Sequence, residues 1–172
     1  MRKNRWLAAA GAVALAGVVS VVGVAASAST PGTVMKFDTM APVTGPYVGA
    51  ANPIRNVPGG GLPWMIRAAT GSLKSNGHLL VHVRGLVLAE EAPVPPALQG
   101  TNPIPDFEAI VSCQSIGTDG SAVSTNVATG QFAASADGNA DINATVSLAS
   151  PCIAPIVFVA SPTGAWFAAT GS

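Results

Sequence analysis

Strict two-residue alternation constrains this chain more than any other feature. Ile142, Ala144, Val146 and Leu148 take turns with Asn143, Thr145 and Ser147. Only an extended backbone sends successive side chains to opposite faces, so this pattern predicts a half-buried strand. Leu79, Val81 and Val83 likewise oppose Leu80, His82 and Arg84 within a return strand at 79–88. Trp64, Ile66 and Ala68 oppose Met65 and Arg67, and Phe107, Ala109, Val111 and Cys113 oppose Glu108, Ile110, Ser112 and Gln114. The last set places Glu108 in solvent. Further strands are expected around Val123, Thr125 and Val127 and near Phe132. The continuous apolar run 156–160 suits a central strand, with a return at 165–169 that sets Trp166 and Phe167 on opposite faces.

Turn residues divide these runs. Asn76-Gly77 permits positive φ at both central positions of a hairpin, and Asp119-Gly120 and Asp137-Gly138 are similar signals. Ser161-Pro162-Thr163-Gly164 suits a type I turn. Residues 89–105 hold five prolines and read as a long crossing loop between sheets. The expected fold is all-β, an antiparallel β-sandwich of immunoglobulin-like or Greek-key type with about seven or eight strands.

The first 28 residues read as a signal peptide. Arg2, Lys3 and Arg5 precede an apolar stretch at 7–26, and Ala26-Ser27-Ala28 offers a small-residue cleavage site. The alternative is an uncleaved membrane tether, since roughly 20 apolar residues span a bilayer. Cleavage after Ala28 removes 28 of the 172 residues and leaves 144, a single domain's worth. It also removes three of eight basic residues. Lys36, Arg55, Arg67, Lys74 and Arg84 then face eight acids, for a net charge of −3. Five scattered cations form no basic stripe, which argues against nucleic acid as a partner. Residues 29–63 are punctuated by Pro and Gly and read as an extended arm with one short strand at 33–37. The sandwich domain is expected over 64–172. In an exported chain Cys113 and Cys152 are expected to form a structural disulfide.

Pro63-Trp64, Gly85-Leu86-Val87-Leu88, Ala109-Ile110-Val111-Ser112-Cys113 and the stretch from Ser150-Pro151-Cys152 to Val157-Phe158-Val159 together resemble a group of small secreted bacterial proteins. That group is commonest in actinomycetes and is known chiefly as uncharacterised. The resemblance runs over 63–171, implies an exported bacterial protein, and carries over no catalytic residue. In strand order alone, Val81, Val83, Gly85, Cys113, Phe132, Asp137, Gly138 and Cys152 are similar to the immunoglobulin-like apoproteins of enediyne chromophores. Those proteins have two disulfides, whereas this chain has cysteines for one.

The chemical motifs are weak. His78 and His82 lie four residues apart on one strand, about 13 Å, too far to share a metal ion. Asp137-x-Asn139-x-Asp141 imitates a calcium loop, but Ile142 and Leu148 stand where that loop needs Gly and Glu. No Gly-x-Ser-x-Gly occurs, and a Ser-His-Asp site could draw only on His78 or His82. Glu90-Glu91, or Asp106 with Glu108, could supply paired carboxylates, with nothing to set their separation. Asn143-Ala144-Thr145 fits a glycosylation sequon by chance of strand composition. The ligand-surface candidates are Trp64, His82 and Trp166, against core packing for the two tryptophans. No cofactor or metal is expected. The leading expectation is a non-catalytic secreted β-sandwich that binds an envelope or exported partner. The alternatives are a small-molecule carrier with an apolar cleft and a hydrolase of unrecognised type.

Overall fold

The computed structural model describes residues 30–171. The expected signal segment and cleavage site at 1–28 lie outside the described residues. In chain order the strands are β1 (Thr33–Phe37), β2 (Ala41–Pro42), β3 (Trp64–Met65), β4 (Ala68–Lys74), β5 (His78–Arg84), β6 (Val87–Leu88), β7 (Asp106–Ile116), β8 (Ala122–Ala128), β9 (Phe132–Ala133), β10 (Ala140–Thr145), β11 (Ile153–Ala160) and β12 (Trp166–Ala169). Eight of them have four or more residues, which matches the expected count; four are two-residue pieces. A four-stranded sheet runs β1-β4-β5-β10. A second sheet runs β2-β12-β11-β7-β8, with β9 also on β7, and β3 pairs with β6. Every one of these pairings is antiparallel. The result is an antiparallel β-sandwich.

The inner faces follow from the alternation. Leu79, Val81, Val83 and Ile142 project inward from the first sheet and are fully buried. Phe107, Ala109, Val111, Val157 and Val159 meet them from the second. Each such aliphatic or aromatic side chain contributes about 1.5–3 kcal/mol by leaving water. Trp64 stacks on Phe167 at 4.0 Å and meets Phe107 edge-on at 6.4 Å. The disulfide Cys113–Cys152 forms, with Cα atoms 4.8 Å apart. It links β7 to the start of β11, its neighbour in the sheet.

Local chemistry departs from expectation at several points. At the β4–β5 hairpin only Gly77 has positive φ, at +82°. Its amide donates to Lys74 O at 2.9 Å, so Ser75-Asn76-Gly77 is a three-residue turn, and glycine takes the left-handed position. The return strand expected at 79–88 divides at Gly85, where φ is +65°. β5 stays in the first sheet while β6 turns away to pair with β3. Residues 89–105, expected to cross between the sheets, instead connect β6 of the two-stranded piece to β7 of the second sheet, because the chain has already left the first sheet at Gly85. The loop closes at its base through Leu88 N to Thr101 O and Gly100 N to Leu88 O, and Val94 anchors it in the core.

The segment 29–63, expected as an arm, supplies an edge strand to each sheet. β1 pairs with β4, and β2 pairs with β12. Sheet pairing therefore reaches back past Trp64 to Thr33. Beyond β2 the chain lies along β12, through Val43 N to Phe167 O, Gly60 N to Trp166 O and Trp166 N to Pro58 O. Residues 45–57 then fold over the outer face of the second sheet. Tyr47 meets Trp166 at 6.4 Å, and Arg55 Nη1 donates to Ser112 O at 3.0 Å. Asn126 Nδ2 donates to Arg55 O at 2.8 Å. Arg55 and Asn56 both have positive φ, which makes a tight turn at the tip of this flap.

Candidate functional site

The two sheets present different outer faces. Ser112 and Trp166 are buried against the flap, and on the same outer face Ile110 and Phe158 are buried and Glu108 is only 8% exposed. Glu108 is thus not in solvent as its place in the alternation suggested. Burial pushes its carboxyl pKa above the ordinary glutamate range, because the charged form loses water. Trp64 and Trp166 are both 3% exposed, so neither offers a platform to a ligand. Trp64 belongs to the inner core, and Trp166 lies between Phe158 and Tyr47.

The outer face of the four-stranded sheet is open, and both histidines lie on it. The register places Thr70, His82 and Asp141 in one row across β4, β5 and β10. The next row holds Lys36, Ser72, Leu80 and Asn143. His82 Nδ1 and Asp141 Oδ1 are 2.7 Å apart, and Arg84 Nη2 donates to the same oxygen at 2.8 Å. Arg84 Nη1 donates to Val83 O and Ala140 O, so the guanidinium is pinned flat on the sheet. The hydrogen bond from His82, then that from Arg84, holds the Asp141 carboxyl below the usual aspartate range. His78 Nε2 lies 3.0 Å from Asn143 Oδ1. His82, Asp141 and Arg84 keep 43%, 59% and 39% of their side chains exposed, so the cluster is reachable from solvent.

Two shallow depressions flank this row. One of about 510 Å³ is bordered by Lys36, Phe37, Asp38, Thr70, Ser72 and His82. The other, of about 520 Å³, is bordered by Arg67, Arg84, Phe132, Asn139 and Asp141. The loop before β10 is locked to the sheet beside them. Leu86 N donates to Gly138 O, and Gly85 N donates to Asn139 Oδ1.

Of the ligand-surface candidates only His82 belongs to this face. Sequence reasoning missed Asp141 and Arg84 as its partners, since their contact requires β10 to pair with β5. Asp141 and Asn139, two positions of the calcium-like pattern, are committed to Arg84, His82 and the Gly85 amide. Among the described residues no group of three or more His, Cys, Asp or Glu side chains gathers to hold a metal. The Asp141–His82 pair has the geometry of the orienting half of a catalytic triad. Among the described residues no hydroxyl is hydrogen-bonded to His82 Nε2. Glu90 and Glu91 are exposed at the head of the proline-rich loop, away from this face.

Fold and site together define an antiparallel β-sandwich with one partly covered outer sheet face and one open, polar face. The chain matches no protein family, no curated protein and no solved structure.

Proposed function

We propose that this chain is an exported, immunoglobulin-like β-sandwich that binds an envelope or secreted partner through the open face of its four-stranded sheet. The observation that carries the reading is the asymmetry between the sheets. The flap at 45–57 covers the outer face of the second sheet around Ser112 and Trp166, and the outer face of the first holds an accessible hydrogen-bonding row at Thr70, His82 and Asp141. Such a row supplies donors and acceptors already fixed by strand pairing, which lowers the ordering cost of binding. The strand order supports the immunoglobulin-like assignment. β4-β5-β10 and β8-β7-β11-β12 follow the A-B-E and C′-C-F-G arrangement, with hairpins within sheets and crossings between them. Export is supported by Arg2, Lys3, Arg5, the apolar stretch 7–26 and the disulfide. Among the described residues no helix is long and apolar enough to cross a membrane.

Co-sedimentation of the purified chain with wall and membrane fractions of the producing cell tests the proposal. The wild type should bind one fraction saturably. Thr70→Arg should weaken binding at least tenfold, and Leu98→Arg on the proline-rich loop should leave it unchanged. Absence of saturable binding to both fractions, or Thr70→Arg binding like wild type, would refute it.

A further inference from the structure

Among the described residues four strands end the two main sheets, β1, β10, β2 and β8, and three of them carry features that block further pairing. β1 has Lys36 and a register break between Thr33 and Met35. β2 is two residues long and ends in Pro42. β10 presents Asp141. Lysines, bulges, prolines, short length and charge are the usual guards of a sheet edge. β8 has none of them. Its seven residues, Ala122-Val123-Ser124-Thr125-Asn126-Val127-Ala128, include no charge and no proline, and they pair with β7 without a break in register.

The flanking bonds show which backbone groups are free. Thr129 N donates to Ala109 O at one end of the hairpin, and Gly117 N donates to Ser121 O at the other. Antiparallel pairing alternates, so residues 123, 125 and 127 bond toward β7. The amides and carbonyls of Ala122, Ser124, Asn126 and Ala128 point outward. Among the described residues none of these four has another backbone partner. Asn126 uses only its side chain, on Arg55 O.

We propose that β8 is a self-association edge, on which a second copy of this chain pairs its own β8 antiparallel about a two-fold axis at Thr125. This surface is separate from the open sheet face and does not depend on the function proposed for it. The strand is complementary to itself in that register. Ala122 faces the partner's Ala128, and Ser124 faces the partner's Asn126, which joins all four outward-pointing residues. About eight new backbone hydrogen bonds result, two for each facing pair. Val123, which is 37% exposed, faces the partner's Val127, and Thr125 faces the partner's Thr125. Cross-strand Val–Val and Thr–Thr pairs are favourable, and an uncharged strand brings no like charges together. The two second sheets become one continuous sheet, an isologous contact that closes at two copies.

Light scattering coupled to gel filtration of the chain expressed from its full sequence, over a concentration series, tests this. The mass should rise toward twice that of one chain. Ser124→Pro removes an outward N–H and leaves the β7 ladder intact, so it should weaken association at least tenfold, and Ser124→Thr should not. A mass fixed at one chain throughout, or Ser124→Pro associating like wild type, would overturn the proposal. Amide exchange on the wild type gives a readout that needs no variant. Ser124 and Asn126 should be protected in concentrated samples and not in dilute ones, with Thr125 protected in both. Unchanged exchange at Ser124 and Asn126 across the series would also overturn it.

Discussion

Replacing Cys113 and Cys152 together by alanine should cost the fold about 4 kcal/mol. The two residues are 39 apart in sequence, and the bond closes three strands, β8, β9 and β10, inside its loop. For a loop of that length the chain-entropy relation removes about 13 cal/mol/K from the unfolded ensemble, which is about 4 kcal/mol at 25 °C. Cys113 is 2% exposed on the inner face of β7, so its loss also leaves a small packing defect. A domain of about 140 residues unfolds with an entropy near 0.3 kcal/mol/K, so the melting temperature should fall by about 13 °C. Urea unfolding followed by the fluorescence of the buried Trp64 and Trp166 measures the loss directly. The m-value should rise slightly, because the uncrosslinked unfolded chain exposes more surface. A loss below about 1 kcal/mol would refute the reasoning, since it would mean the unfolded chain keeps β7 and β11 together without the bond.

Glu108 and Gly138 give two further tests. Because the folded-state pKa of Glu108 is raised, its contribution to stability is full below the unfolded pKa and is lost as pH rises through the folded value. Glu108→Gln should therefore be more stable than wild type at neutral pH, with the gap closing on the acid side of the glutamate range; a gap independent of pH in urea titrations would contradict this. Gly138 has φ +69°, and a Cβ there would run into the backbone of Leu86, whereas Gly164 has φ +85° and open space around it. Gly138→Ala should cost about 2–4 kcal/mol against about 1 kcal/mol for Gly164→Ala. Equal shifts in urea midpoint for the two would remove the steric argument.

The long strands and several turns were legible because they depend on neighbours in sequence. Leu79, Val81 and Val83 are inward as their alternation requires, and 156–160 lies within a central strand. Gly164 N donates to Ser161 O in the turn that Pro162 and Gly164 suggested. The site was less legible. His82 was visible as a polar residue on an outer face, but its bond to Asp141 spans 59 residues. Only the pairing of β5 with β10 brings the two side chains together.

Period two separates each strand's residues into two sets, and the apolar set must leave water; the sequence alone determined that much, along with the pairing of its only two cysteines. It could not say what covers the other set. Ser112 and Trp166 lie beneath a flap that begins more than fifty residues earlier in the chain, held by Arg55 and by backbone bonds along β12. Burial of a strand's second face depends on which distant segment docks there. Those contacts join backbone groups, which every residue possesses, to a few side chains whose partners are distant in sequence, so no local pattern announces them. The same holds for the open face and for the unguarded edge of β8, which exist because the chain ends its pairing there.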